Sequence, residues 1–215
     1  MSDMGAAHSF RQSPVGDRLI VAFDFDGTLT IRDSFTAFLR RRAGAAGWAI
    51  GLTKMAPALA AYVSDRDRGR IKAASVREFL GGVERATLEA EAEAFAADIW
   101  DQFMRPDALA CWKAWGDKGA HRVIVTASPE TTVAPFARRL GAEGLLGTQL
   151  VFDAQGRVTG AFVGENCRGE EKVRRLRAAY GDDMKLAAAY GDTSGDTEMI
   201  AMAEEKGFRV FTGRP

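Results

Sequence analysis

Residues 19–23 form an unbroken apolar run, Leu-Ile-Val-Ala-Phe, that stops at Asp24-Phe25-Asp26-Gly27-Thr28. A short continuous run closed by a glycine turn predicts a strand buried on both faces, as in parallel sheets. From about residue 34 to 103 the spacing becomes helical. Asp33-Ser34 offers a cap, Phe35, Phe38 and Leu39 follow at helical intervals, and Phe95, Ile99 and Phe103 recur every four residues. Pro106 opens a short helix carrying Leu109, Trp112 and Trp115 and ending near Gly116 or Gly119. A second buried strand is predicted at 121–126 and a helix at 129–140 with a kink at Pro135. Residues 149–152 and 158–163, joined across Asp153-Ala154-Gln155-Gly156, predict a hairpin. A helix at 170–180, a third buried strand at 186–190, a helix at 196–206 and a last short strand at 208–211 complete the pattern.

Buried strands separated by helices imply an α/β fold, a parallel-sheet core with right-handed crossovers. The helical block between the first and second of these strands is too long for a crossover and reads as an inserted all-helical cap domain at 33–103. The core is then 18–32 plus 104–215, after a polar leader at 1–17 that reads as disordered and lacks the apolar core of a secretory signal.

Composition narrows the function classes. The 215 residues are 47% hydrophobic and 27% charged, which fits a soluble globular chain, and the net charge of zero gives no footprint for nucleic acid. Cys111 and Cys167 are isolated, without zinc spacing or a disulfide framework, and read as reduced packing residues in a cytoplasmic protein. His8 and His121 belong to no Ser/His/Asp or Cys/His pattern, which argues against acyl transfer.

The chemistry concentrates at strand ends. Asp24 and Asp26 lie at the carboxyl end of the first strand, where open α/β sheets bind ligands. Their burial calls for a compensating cation, and two close carboxylates suit a hard one such as Mg²⁺ with phosphate as companion ligand. Thr126 closes the second strand, with Ser128 two residues on; Lys172 sits in the first turn of a helix; Asp192 and Asp196 follow the third strand. Each has an ordinary reading by itself: a cap, a solvated lysine, a helix N-cap. Together, in this order, they gather hydroxyl, cation and carboxylates at one sheet edge. Asp24 could attack phosphorus, Asp26 could act as general acid and then base, Thr126 and Lys172 could hold phosphoryl oxygens, and Asp192 could complete a metal site with Asp196 behind it.

These four motifs resemble the haloacid dehalogenase superfamily, in the subfamily that contains phosphoserine phosphatases. The resemblance implies a Rossmann-like core, a helical cap inserted after the first motif, and Mg²⁺-dependent phosphomonoester hydrolysis through an aspartyl-phosphate. It further implies metal ligation by Asp24, Asp26 (through its carbonyl) and Asp192, phosphate binding by Thr126, Ala127, Lys172 and Gly27, and supporting roles for Asp196 and Ser128. Strand register favours Thr126 over Ser128 as the hydroxyl facing phosphate. One departure stands out: Gly195 occupies a position where such phosphatases usually carry an amide.

The substrate is less legible. The stretch 43–63 is apolar and rich in Gly and Ala, flanked by Arg40-Arg41-Arg42 and by Arg66, Arg68, Arg70 and Lys72. A packed pair of cap helices is the expectation, with peripheral contact at an anionic membrane as the alternative and a bilayer span opposed by Lys54 and Pro57. Asp33-Ser34-Phe35, Ser128-Pro129-Glu130 and Cys167 to Lys172 also resemble bacterial phosphatidylglycerophosphatases of the same subfamily. Phosphoserine and phosphatidylglycerophosphate are therefore both candidate substrates, and a non-catalytic binder is the alternative function.

Overall fold

The computed structural model describes residues 19–215; the leader expected at 1–17 lies outside them. Five parallel strands form the central sheet in the order β3-β2-β1-β6-β7: β1 (Ile20–Phe23), β2 (His121–Pro129), β3 (Gly144–Thr148), β6 (Leu186–Gly191) and β7 (Ala203–Phe208). Alternate residues of β1 enter opposite layers, so the sheet is buried on both faces. Val21 and Phe23 pack with Trp112, Phe136 and Tyr190, while Ile20 and Ala22 pack with Val125, Leu176 and Met199.

Four helices, α1 (Ser34–Lys54), α2 (Ala56–Asp65), α3 (Arg68–Leu80) and α4 (Arg85–Phe103), connect β1 to α5 (Pro106–Asp117), which leads into β2. Asp33 caps α1 by accepting from the Thr36 amide at 2.6 Å. The apolar stretch at 43–63 is not one helix. Gly44, at φ 65°, kinks α1, and the chain turns again at Met55 before α2. Trp48 stacks on Phe79 of α3 with ring centroids 4.9 Å apart, and Gly51 leaves room for that ring. No helix among the described residues is long and apolar enough to cross a membrane.

The hairpin β4 (Leu150–Phe152) and β5 (Val158–Phe162) is antiparallel. It docks on the α3–α4 turn, where Gly82 donates to the Val158 carbonyl at 2.8 Å and Val158 donates to that of Val83 at 2.9 Å. The remaining helices are α6 (Glu130–Leu140), α7 (Glu170–Tyr180) and α8 (Thr197–Ala201).

Two expectations need correction. The helix expected at 196–206 ends at Ala201, and Ala203–Phe208 is the edge strand β7, paired in parallel with β6. Glu204, Glu205 and Lys206 are exposed there, where charges protect an open edge and outweigh helix propensity. The short strand expected at 208–211 accordingly loses all but Phe208; Arg209 turns left-handed at φ 54°. Strand β3 had no counterpart in the pattern. Its glycines are demanded by proximity: a Cβ at Gly144 would lie 2.3 Å from the Tyr180 hydroxyl, and one at Gly147 2.9 Å from the Ser128 carbonyl.

Candidate active site at the carboxyl edge of the sheet

Asp24 leaves β1 with its amide still bonded to the Tyr190 carbonyl of β6 at 2.8 Å, which fixes the carboxylate at the strand end. The chain then turns sharply through Phe25–Leu29, with Gly27 at φ 86°. A Cβ at Gly27 would fall 2.3 Å from Asp192 Oδ2, so this turn requires glycine for both conformation and space. Arg105 holds the turn from behind, donating to the carbonyls of Gly27 at 3.3 Å and Thr30 at 3.2 Å.

Lys172 is 1% exposed and has three acceptors, Asp24 Oδ1, Asp196 Oδ1 and the Val125 carbonyl, each at 2.6 Å. The bond to Val125 accompanies a break in the β2–β3 register between Val125 and Pro129, which frees Thr126–Ser128 from the ladder. Burial disfavours the ammonium, but Asp24 and Asp196 win and hold its pKa above the ordinary lysine range.

Asp24, Asp192 and Asp196 each offer a carboxylate oxygen within 4.8 Å of the others. Asp196 is already committed: beyond Lys172, its Oδ2 accepts from the amides of Asp192 at 3.2 Å and Thr193 at 2.9 Å and from the Thr193 hydroxyl at 3.0 Å. These bonds and Lys172 outweigh burial and hold its carboxyl below the usual range. Asp24 Oδ2 and Asp192 are left as the freer donors. The Thr28 hydroxyl lies 3.4 Å from both Asp24 Oδ2 and Asp192 Oδ1. Burial, opposed by Lys172 and reinforced by Asp196, pushes Asp24 up to about 7. Burial and Asp196 likewise raise Asp192. Fully ionised, the three carboxylates outnumber the one ammonium by two negative charges in a largely buried oxygen cradle, and a divalent cation, by favouring the ionised forms, is the ligand that would balance them.

Asp26 points elsewhere. Its Oδ1 accepts from the Ser34 amide at 2.6 Å and hydroxyl at 2.5 Å, and its Oδ2 from the Ser128 hydroxyl at 2.5 Å. Burial and the charge of Asp33 raise its pKa against those bonds. The Asp26 carboxylate thus lies outside the carboxylate cluster. Of the two candidate hydroxyls, Thr126 lines the cavity and accepts from the Ser128 amide at 3.0 Å, whereas that of Ser128 is spent on Asp26. Ala127 also lines the cavity, and its carbonyl accepts from Lys72 Nζ at 2.9 Å. Cys167 is inert packing: burial pushes its thiol up to about 11.

A cavity of about 390 Å³ opens at the carboxyl edge of the sheet, beside α1, α2 and α3. Asp24, Asp26, Thr126, Lys172 and Asp196 line it together with Phe35, Leu39 and Trp48 of α1, Tyr62 of α2 and Ile71 of α3. Sequence reasoning missed Lys72 and Arg168 as residues of this site. Both stood in plain view, Lys72 as one basic residue of a flank and Arg168 beside Gly169, but nothing in a linear pattern shows which of many basic residues faces inward.

Residues 21–201 match the family model of haloacid dehalogenase-like hydrolases. The chain belongs to that family. It is 57% identical over 197 residues to protein CicA of Caulobacter vibrioides, covering 92% of this chain and 88% of that one. It is 30% identical over 212 residues to phosphoserine phosphatase SerB1 of Mycobacterium tuberculosis, covering 93% of this chain and 67% of that one. A crystal structure of a Bordetella pertussis protein of unknown function matches with a TM-score of 0.71 at 24% identity, covering 86% of each chain. The parallel sheet with flanking helices is thus the Rossmann-like fold of haloacid dehalogenase-like hydrolases.

Proposed function

We propose that this hydrolase is a Mg²⁺-dependent phosphomonoesterase that works through an aspartyl-phosphate on Asp24. The observation that carries the reading is the charge of the cluster: Asp24, Asp192 and Asp196 share one ammonium, and the donors left over are oxygens. That donor set fits Mg²⁺, held by Asp24 and Asp192 with Asp196 behind them. When bound, Mg²⁺ supplies positive charge that lowers the repulsion between the Asp24 carboxylate and a phosphate dianion.

Asp24 attacks phosphorus with the carboxylate that Lys172 orients. Lys172 then offsets negative charge on the phosphoryl oxygens, and Thr126 donates a hydrogen bond to one of them. Asp26 protonates the departing alkoxide, a role that its raised pKa favours. Ser34 and Ser128 fix its orientation. The same carboxylate then takes a proton from the water that hydrolyses the aspartyl-phosphate. Cap residues 33–103, with the hairpin docked upon them, close the site and meet the leaving group.

The leaving group is small in this reading, because the cavity holds about 390 Å³. The name of the SerB1 relative and the position of Asp33 in the cavity wall support phosphoserine. A lipid-linked phosphomonoester is the second reading, since Ile50, Leu52 and Val63 stand exposed on α1 and α2. The nearby basic residues favour it less: Arg41 and Arg42 of the flank pair with Asp98 and Glu91, and Lys54 within the stretch pairs with Glu78. Steady-state rates on phosphoserine and on phosphatidylglycerophosphate in mixed micelles separate the two. Absence of Mg²⁺-dependent hydrolysis across a broad phosphomonoester panel would favour a non-catalytic binder and overturn the proposal.

A further inference from the structure

Gly195 is in neither a left-handed turn nor open space. Its φ is not among the positive values found at ten other glycines, so its backbone conformation is open to any residue. A side chain is excluded instead by Arg168: a Cβ on Gly195 would lie 2.3 Å from Nη1, 2.6 Å from Cζ and 2.7 Å from Cγ of that arginine. The arginine thus lies along the face of the glycine from its Cγ to its guanidinium, so relieving the overlap needs more than a swing of its tip.

Arg168 is held there by hydroxyls rather than by a counter-ion. Nη2 donates to Ser194 Oγ at 2.8 Å and Nη1 reaches Thr193 Oγ1 at 3.4 Å; no carboxylate pairs with it among the described residues. A guanidinium has five N–H donors, and these two bonds leave a surplus. The base of the arm is fixed as well, because the Gly169 amide donates to the Gly195 carbonyl at 2.9 Å. The residue lines the same cavity as Asp24, Thr126 and Lys172. A half-buried guanidinium with spare donors and no carboxylate partner, at the wall of an anion site, is a fork for tetrahedral oxyanions.

We propose that Arg168 binds the transferring phosphoryl group directly, in a seat that exists because residue 195 has no side chain. This rests on the phosphomonoesterase reading and adds a cation to the phosphoryl site beyond Lys172. It also explains why an amide is absent at 195: the guanidinium takes its space, so phosphate positioning depends on Arg168.

Inorganic phosphate is the probe, because it carries the phosphoryl group without a leaving group. Its Kd is measured by calorimetry with Mg²⁺, and its Ki against p-nitrophenyl phosphate, for the full chain, Arg168→Gln, Arg168→Lys, Gly195→Ala and the double variant Arg168→Gln/Gly195→Ala. Loss of a charge-assisted bond predicts that Arg168→Gln weakens phosphate by about 10- to 100-fold, with Arg168→Lys between it and the unaltered protein. Gly195→Ala weakens phosphate as well, by displacing the arginine, yet adds nothing once Arg168 is gone. A phosphate Kd within about 2-fold of the unaltered protein in Arg168→Gln, or losses from the two substitutions that multiply, overturns the proposal. Matching thermal melts show that the variants are folded. If the unaltered protein hydrolyses no phosphomonoester, the functional reading fails independently, and phosphate calorimetry still reads the clamp.

Discussion

Lys172→Met tests the electrostatics of the site, because it keeps the stem and removes the charge. The ammonium is 1% exposed and bonded at 2.6 Å to Asp24, Asp196 and the Val125 carbonyl. Breaking a buried pair from one side costs about 3–5 kcal/mol, since the carboxylates left behind have no cation. Each kcal/mol moves the melting temperature of a chain this size by about 2–4 °C, so a fall of roughly 6–20 °C follows in chelator at neutral pH. Acid relieves the penalty, because Asp24 already sits up at about 7, against an ordinary 3.8, with Lys172 in place. A carboxyl raised in this way contributes stability that is complete below about pH 4 and lost as pH climbs through about 7. The variant therefore recovers much of its melting temperature at about pH 5, and Mg²⁺ restores part of it at neutral pH. Calorimetric melts at both pH values, with and without Mg²⁺, measure this. A variant that melts within about 2 °C of the unaltered protein in chelator at neutral pH would refute the reasoning.

Gly27→Ala places a methyl 2.3 Å from Asp192 Oδ2 at a φ of 86°, so it should cost about 1–3 kcal/mol of stability and weaken Mg²⁺ activation at least tenfold, read from the Mg²⁺ dependence of kcat/KM. Ser128→Ala removes a 2.5 Å bond that lowers the Asp26 pKa, so the alkaline limb of the kcat–pH profile, set by loss of the acid, should move to higher pH. Gly207→Ala brings a Cβ within 2.1 Å of the Tyr190 ring across the β6–β7 pair and should destabilise by about 1–3 kcal/mol in urea titration, and an unchanged midpoint would contradict that pairing.

The polar machinery was legible because it is local. Asp24 and Asp26 follow an apolar strand, Lys172 opens a helix, and Asp192 and Asp196 end another strand, so spacing alone places them at one edge. What escaped is what depends on contact across the fold. Strand β3 is written Gly-Leu-Leu-Gly-Thr, a weak β signal whose glycines answer to Tyr180 and Ser128 far along the chain. Strand β7 is written with helix formers because it occupies an exposed edge. The division of labour between Thr126 and Ser128, with Ser128 committed to Asp26, follows from where β2 leaves its ladder after Val125. Arg168 is an ordinary charged residue before the helix that carries Lys172 until the space above Gly195 is seen.

The residue that receives the phosphoryl group decides the mechanism most directly. Enzyme turning over p-nitrophenyl phosphate with Mg²⁺ can be acid-quenched, digested and analysed by mass spectrometry. One hydroxylamine-labile phosphoryl group is expected on the peptide containing Asp24, absent in a folded Asp24→Asn variant that does not turn over. A phosphoryl group on another residue, or undiminished turnover by Asp24→Asn, would contradict that mechanism.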